Sequence, residues 1–202
     1  MKTIQSEGNK MKVLAINGSA RKDGNTADLI KEVFTVLKNE NIDCEMIQLS
    51  GKTIYGCAAC DQCYVNKDGK CVQKNDMVNE IIDKMKKADG ILLASPTYFS
   101  NVSAEIKALI DRAGRVGRAN NTMFKNKVGA AIVSVRRAGA IHAFNSINHF
   151  FFIEEMIVPG SCYWNIGIGK EKGDVKEDEE GLKTMKTLGE KMAWLMKKLN
   201  KS

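Results

Sequence analysis

Short, densely apolar segments alternate with amphipathic stretches along most of the chain, and this alternation constrains the fold more than any other feature. Residues 13–16 and 90–94 contain no polar side chain and are too short for helices, which is typical of buried strands. Residues 25–37 and 178–199 instead place apolar residues at helical spacing. Strands that alternate with helices predict a parallel sheet that is covered on both faces.

The pattern predicts five strands and five helices, with one long loop. We expect strands at residues 13–16, 43–49, 90–94, 128–135 and 156–163, and helices at 25–37, 76–87, 103–115, 139–155 and 178–199. Residues 50–75 have no period, and long ordered loops in compact domains are usually functional. No repeat or linker divides the sequence. We therefore expect one domain over residues 11–202, preceded by a flexible extension at residues 1–10.

The distribution of charge argues against a nucleic-acid-binding protein. The formal net charge is +7, but the lysines are interspersed with acids along predicted helices, as where Lys84 and Lys86 lie between Asp83 and Asp89. Such mixing is typical of a solvated helix surface. No apolar run is long enough to cross a bilayer, and residues 1–10 lack an apolar signal core. We expect a cytoplasmic protein that binds neither nucleic acid nor membrane.

A loop of small and hydrogen-bonding residues follows the first strand. Residues 17–26 read Asn-Gly-Ser-Ala-Arg-Lys-Asp-Gly-Asn-Thr and lead into a predicted helix. Small residues let the backbone wrap an anion, and the helix N-terminus offers unpaired N–H groups. The dinucleotide G-x-G-x-x-G and the P-loop patterns are both absent. The segment therefore predicts a phosphate loop, with an ordinary strand-to-helix turn capped by Asn25 or Thr26 as the alternative.

Two more loops follow strands at the edge where ligands bind in open α/β sheets. After the third strand, Pro96 stiffens a turn, and Tyr98 and Phe99 offer aromatic faces to a planar ring. After the fourth strand, Arg136 and Arg137 precede a helix. They either favour negative charge on a ligand or are ordinary surface arginines.

The first two loops resemble the FMN-binding segments of the NADPH-dependent FMN reductases, a family of the flavodoxin-like superfamily. The likeness lies in the first loop and in the Ser-Pro-x-Tyr segment at residues 95–98, followed by Lys107 and by Asp111-Arg112. The resemblance implies a flavodoxin-like three-layer α/β sandwich. Its five-stranded parallel sheet would have the order 2-1-3-4-5, with helices on both faces.

The same resemblance implies FMN as the cofactor and NAD(P)H as one electron donor. The FMN-binding residues it implies are Ser19, Arg21, Asn25 and Thr26 at the phosphate, and Pro96, Thr97, Tyr98, Phe99, Asn101, Arg136, Arg137 and Gly139 at the ring and ribityl chain. No catalytic side chain is expected, because the flavin carries the chemistry. A late loop with Trp164, Gly167 and Gly169 is a further candidate for the substrate opening.

Four of the six cysteines are crowded into residues 57–71, where Cys57, Cys60 and Cys63 are each separated by two residues and Cys71 follows after seven more. Thiolates at this spacing on a turning backbone can converge on a compact cluster. The long last gap and the absence of a proline after Cys71 exclude a ferredoxin domain. The spacing resembles that of iron–sulfur flavoproteins, which implies a [4Fe–4S] cluster that exchanges electrons with FMN. Free thiols or a disulfide are the alternative.

The remaining cysteines and the two histidines are expected to have structural roles. Cys44 lies in a predicted strand and Cys162 close to the last one, so both are expected to be buried, unreactive thiols. His142 and His149 lie seven residues apart on one predicted helix, with no pattern that completes a metal site.

Three functions remain open at this point. The first is an iron–sulfur flavoprotein that passes electrons, from a donor such as ferredoxin, through a cluster and FMN to a small acceptor. The second is a cluster-free NAD(P)H-dependent reductase of flavins, quinones or nitro compounds. The third is a flavodoxin-like carrier, disfavoured because such carriers lack the cysteines and are usually acidic. The resemblance also implies a homodimer or homotetramer, in which the cluster of one subunit approaches the FMN of another.

Overall fold

The computed structural model describes residues 10–200 of the chain. Its elements in chain order are β1 (Lys12–Asn17), α1 (Asn25–Asn39), β2 (Asp43–Gln48), α2 (Gln62–Asn66), α3 (Val78–Lys87), β3 (Gly90–Pro96), α4 (Ala104–Ala119), β4 (Val128–Val135), α5 (Ala140–Ile153), β5 (Ile166–Ile168), a 3₁₀ turn (Asp174–Glu177) and α6 (Glu179–Leu199). The expected flexible extension at residues 1–10 falls almost entirely on residues 1–9, which lie outside the described part.

The five strands form one parallel sheet in the order β2-β1-β3-β4-β5, which confirms the predicted topology. Successive side chains of a strand point to opposite faces, and β1 shows this clearly. Val13 and Ala15 pack against one core layer, whereas Leu14 and Ile16 pack against the other. Because both faces are buried, the central strands carry apolar residues continuously rather than in alternation.

Helices cover both faces of the sheet. The layer formed by α1 and α6 packs on one face, and α3, α4 and α5 pack on the other. The N-terminus of α6 is fixed by Asp178, whose carboxylate accepts hydrogen bonds from the N–H groups of Gly181 at 2.9 Å and Ile168 at 2.7 Å. The same cap therefore also ties the edge strand β5 to α6.

The prediction of the last strand at residues 156–163 was wrong. Only a single parallel bridge forms there, between Ile157 and Val128, and the fifth strand is Ile166–Ile168. The N–H of Ile157 donates to the carbonyl of Lys127 at 2.9 Å. Pro159 follows shortly after and has no N–H to donate to a ladder. The chain then leaves the sheet and rejoins it where Ile166 pairs with Val133.

The long loop also differs from its prediction, because it contains the short helix α2. Five residues are too few to display a helical period in sequence, which explains why the prediction missed it. Within the described part of the chain, no helix is both long enough and apolar enough to cross a membrane.

Candidate functional site

The loops after β1, β3, β4 and β5 meet at the carboxyl edge of the sheet and enclose a groove of about 270 Å³. We call it the carboxyl-edge groove. Its walls are Ser19, Arg21, Asn25, Thr26, Pro96, Thr97, Tyr98, Ser134, Val135, Arg136, Gly169, Lys170 and Glu171. Eight of the twelve predicted FMN-binding residues lie in these walls, so the structure brings together three loops that are far apart in sequence.

Two hydrogen bonds from neighbouring parts of the fold hold the loop after β1 in place. The N–H of Gly18 donates to the carbonyl of Ala94 at 2.8 Å, and the side chain of Gln48 donates to the carbonyl of Ser19 at 2.7 Å. A Cβ on Gly18 would lie 2.1 Å from Cγ1 of Ile106 on α4. Only glycine therefore allows this close approach of loop and helix, which sets the floor of the groove.

The N-terminus of α1 opens toward the groove without a side-chain cap. Gly24 is the N-cap residue, and no described side chain accepts a hydrogen bond from the first turn in capping geometry. Capping by Asn25 or Thr26 was the alternative interpretation of this loop, and it is wrong. The hydroxyl of Thr26 instead lies 2.7 Å from that of Ser134. An uncapped helix start with its positive dipole end suits an anion.

The segment 169–173 forms the remaining wall and is held by two residues of the first loop. Arg21 Nη1 donates to the carbonyl of Lys170 at 3.3 Å, and the Asn25 amide donates to the carbonyl of Glu171 at 2.8 Å. Asn25 Oδ1 also accepts from the N–H of Gly173 at 2.8 Å. The two predicted phosphate ligands thus also close the groove on its far side.

Several groove residues were not predicted from sequence, namely Ser134, Val135, Lys170 and Glu171. Lys170 and Glu171 were missed because the last strand was predicted in the wrong place. Ligands bind beyond the carboxyl ends of strands, and this rule indicates residues 169–173 only when β5 ends at Ile168. Gly169 lines the groove as expected, whereas Trp164 and Gly167 do not.

Four predicted FMN-binding residues lie outside the groove walls. Phe99 and Arg137 are exposed, and Phe99 has a left-handed backbone with φ of 47°. Asn101 uses Oδ1 to accept from the N–H of Val102 at 2.8 Å. Gly139 precedes α5 with φ of 86°, and a Cβ there would lie 2.5 Å from Oγ of Ser100, so its presence has a structural reason.

The four clustered cysteines line a second, much smaller pocket of about 20 Å³, the cysteine pocket. Cys57 and Cys60 are exposed, Cys63 is buried and Cys71 is half-buried. Burial raises the pKa of Cys63 above its ordinary value. All six cysteines, which lie in the described part, are free thiols, so the loop contains no disulfide. No three Cys, His, Asp or Glu side chains within residues 10–200 are grouped closely enough to hold a metal ion.

Four thiols around one pocket nonetheless match the donor set of an iron–sulfur cluster. The backbone around them turns sharply, with positive φ at Ala59, Asp61 and Lys67. Left-handed conformations of non-glycine residues are costly and concentrate at functional sites. The donor chemistry therefore fits a cluster, although the thiols do not converge as they stand.

The other two cysteines differ from each other. Cys162 is exposed, so the prediction of a buried thiol was wrong, because residues 156–163 are not a core strand. The hydroxyls of Thr184 and Thr187 lower the pKa of Cys162. Cys44 lies in the edge strand β2 and is half-buried, and burial raises its pKa to about 11.

Comparison with known proteins places this chain in a family. The model of the NADPH-dependent FMN reductase family matches residues 11–171. An iron-sulfur flavoprotein of Methanocaldococcus jannaschii is 40% identical over 200 residues, which covers 95% of this chain and 100% of the relative.

Among solved structures, RosB with a bound 8-demethyl-8-formylriboflavin-5′-phosphate intermediate superposes with a TM-score of 0.73 at 18% identity, covering 95% of this chain and 81% of RosB. A flavodoxin from the domain Archaea gives a TM-score of 0.60 at 18% identity, covering 93% and 99%. At this level of identity the likeness concerns the fold, and it confirms a flavodoxin-like architecture.

Proposed function

Because the chain belongs to the NADPH-dependent FMN reductase family and is an FMN-dependent oxidoreductase, we propose that it works as an iron–sulfur flavoprotein. In this proposal the clustered cysteines hold a [4Fe–4S] cluster that exchanges electrons with FMN, and a small molecule is the final acceptor. The observation that carries the proposal is the lining of one pocket by Cys57, Cys60, Cys63 and Cys71. The chain is 40% identical over 95% of its length to a protein named iron-sulfur flavoprotein.

The carboxyl-edge groove is the proposed FMN site. When bound, FMN supplies the redox chemistry through its isoalloxazine ring. The N-terminus of α1, Ser19 and Thr26 would bind the phosphate. Tyr98 and Arg136, which line the groove from the loops after β3 and β4, would border the ring, and Arg136 would favour negative charge on it. The groove volume of about 270 Å³ lies close to the lower end of the usual range for ligand sites, roughly 300–1,000 Å³.

The cysteine pocket is the proposed cluster site. A bound cluster supplies one-electron transfer, with thiolates as its ligands. Cys57 and Cys60 are exposed, so a protein donor such as ferredoxin can approach this side of the molecule. Reduced cysteines in this number are typical of a cytoplasmic protein, which is the location we propose.

We also propose that the protein forms a homodimer or homotetramer, so that the cysteine pocket of one subunit faces the carboxyl-edge groove of another. The complete exposure of Phe99 beside the groove is consistent with this arrangement, because its aromatic side chain is free to contact a second subunit. Multi-angle light scattering of the purified protein tests it. A monomer would contradict transfer between subunits.

A cluster-free NAD(P)H-dependent reductase is the second candidate function. It is favoured by the small size of the cysteine pocket, about 20 Å³, and by the separation of the thiols. In that case the cysteines would be ordinary thiols, and hydride transfer to FMN in the open groove would be direct.

The experiment that separates the two candidates replaces Cys57, Cys60 and Cys63 with serine. Reduction of a quinone is then measured with reduced ferredoxin and with NAD(P)H as donors, and Cys162→Ser is the matched control because Cys162 lies outside the cysteine pocket. We expect the triple variant to retain FMN and to lose the ferredoxin-driven rate, and the control to keep it. If the wild-type rate depends on NAD(P)H alone and survives in the triple variant, the second candidate is correct.

A further inference from the structure

One arginine is buried directly behind the cysteine pocket. Arg112 lies in the middle of α4 and is only 1% exposed. It is the largest of the fully buried side chains in the described structure. A guanidinium group is costly to remove from water unless its charge is paired and its N–H groups are bonded. The partners of Arg112 therefore indicate what its burial achieves.

All of the hydrogen bonds that Arg112 donates from its side chain go to residues 55–76, which we call the cysteine segment. Nε donates to Sγ of Cys71 at 3.4 Å. Nη1 donates to the carbonyl of Tyr55 at 3.2 Å, and Nη2 to that of Gln73 at 3.0 Å. Because α4 is packed in the core through residues such as Ile106 and Leu109, these bonds fasten the segment to a rigid element.

The charge of Arg112 is balanced by Asp76 at the end of the cysteine segment. The two side chains form an ion pair in which both are fully buried. The Asp76 carboxylate also accepts from the N–H of Tyr55 at 2.9 Å and from that of Val78 at 3.1 Å. The pair thus joins the two ends of the segment, while the Nε–H group remains directed at a sulfur atom.

We propose that Arg112 is a positioning residue of the cluster site, which fixes the path of the cysteine segment and donates an Nε–H hydrogen bond to the Cys71 sulfur. The inference rests on the proposed function and names a residue that would tune its redox centre. Hydrogen bonds to ligand sulfurs stabilise the more negative, reduced state and raise the reduction potential. Lysine keeps the charge but cannot reproduce the forked donor geometry.

Arg115 provides a matched control on the same helix. It also lines the cysteine pocket, but it is exposed, its guanidinium pairs with Asp61, and it lies over the Tyr64 ring at 5.5 Å. Arg112→Lys and Arg115→Lys therefore make the same chemical change within one turn of helix. Only the first removes the bond to Cys71 and the bonds to the carbonyls of the cysteine segment.

The first arm of the test uses iron-free protein, so it does not depend on a cluster. Hydrogen–deuterium exchange of the cysteine segment is measured in both variants and in the wild type. We expect exchange at least tenfold faster in Arg112→Lys and unchanged in Arg115→Lys. Equal exchange in the two variants would overturn the claim that Arg112 fixes the segment.

The second arm uses protein loaded with iron and sulfide, and it measures the reduction potential of the cluster. We expect the equilibrium in Arg112→Lys to shift at least tenfold toward the oxidised state, about 59 mV for a one-electron couple, with a much smaller shift in Arg115→Lys. Equal potentials in the wild type and Arg112→Lys would refute the hydrogen bond to the cluster ligand. The reduction potential therefore distinguishes a hydrogen bond to the Cys71 sulfur from a role of Arg112 that only orders the cysteine segment.

A third measurement needs no change at Arg112 and covers the case in which Arg112→Lys does not fold. Arg115→Lys protein is labelled with ¹⁵N-arginine and reduced, and pulsed EPR detects coupling of the cluster to an arginine nitrogen. Coupling is expected, and its absence would overturn the proposal.

Wild-type protein that takes up neither iron nor sulfide would refute the proposed cluster and the claim about its reduction potential. The hydrogen–deuterium exchange arm would still decide whether Arg112 orders the cysteine segment.

Discussion

The hydroxyl of Thr26, in the first turn of α1, lies 2.7 Å from the hydroxyl of Ser134 near the end of β4. Both residues are almost fully buried, and their contact joins the start of α1 to the end of β4 in the wall of the carboxyl-edge groove. Each hydroxyl has one donor hydrogen, and a bond between the two uses only one of them. The other donor remains to bind an anion at the start of the helix.

Replacing Thr26 with valine is expected to weaken FMN binding about tenfold or more. A hydrogen bond to a charged group contributes roughly 1.5–3 kcal/mol, and valine keeps the shape of the side chain while removing the donor. Fluorescence titration of flavin-free protein measures the dissociation constant. Thr35→Val is the control, because the Thr35 hydroxyl bonds to the Lys31 carbonyl on the exposed face of the same helix. Unchanged affinity in Thr26→Val would show that the Thr26 hydroxyl does not bind the phosphate.

Gly18→Ala is expected to destabilise the fold and to distort the floor of the groove. The new Cβ would lie 2.1 Å from Ile106 Cγ1 and 2.8 Å from Ser103 Oγ, so loop and helix must separate. Overpacking of this kind costs about 1–3 kcal/mol. Urea unfolding measures the loss, with Gly160→Ala as control, because a Cβ at Gly160 meets nothing within 4 Å. Equal stability of the two variants would contradict the close packing of Gly18 on α4.

Glu154 is expected to make the stability of the protein depend on pH. It is fully buried at the end of α5, and neither carboxylate oxygen has a hydrogen-bond partner among the described residues. Burial raises its pKa to about 7, against the partial opposition of Arg118 and with a smaller contribution from Glu155. The folded state therefore binds the proton more tightly than the unfolded state, and stability falls as pH rises from about 4.5 to about 7.

Glu154→Gln removes this titration, so the variant should gain stability relative to the wild type by about 3 kcal/mol between pH 4.5 and pH 8. Denaturant unfolding at several pH values measures the difference. Glu155→Gln is the control, because Glu155 is exposed and a hydrogen bond from Lys125 lowers its pKa. A wild-type-minus-variant difference that stays constant across this window would rule out a buried, protonated Glu154.

Cys162 and Cys44 are expected to react very differently with iodoacetamide. At pH 8 a thiol with a pKa of about 11 is ionised in about one molecule in a thousand. Cys162 is exposed and its pKa is lowered by Thr184, so mass spectrometry should show it alkylated at least about 100-fold faster. Urea-unfolded protein, in which the two should react alike, is the control. Comparable rates in the folded protein would contradict their different environments.

The sequence was sufficient to predict four of the five strands and most of the groove walls, because these follow from local patterns. Sequence alone shows the apolar runs of β1 and β3 and the small and polar residues that follow them. Parallel strands then bring their carboxyl ends to one edge of the sheet. The last strand could not be predicted in its place, because the apolar run at residues 156–158 resembles a strand more closely than Ile166–Ile168 does. Its three residues join the sheet only through pairing with β4.

The environment of the cysteines depends on contacts that no local pattern records. The bond between Arg112 and Cys71 joins residues 41 positions apart, and the burial of both Arg112 and Asp76 is set by packing of α4 against the cysteine segment. Sequence spacing predicted which thiols share a pocket, but their different exposures became clear only from the fold.

The content of iron, acid-labile sulfide and FMN in protein purified without oxygen decides whether the four clustered cysteines hold a cluster. We expect about four irons, four sulfides and one FMN per chain, as a [4Fe–4S] flavoprotein requires. FMN without iron or sulfide would contradict the cluster, and would leave the carboxyl-edge groove as the redox site of an NAD(P)H-dependent reductase.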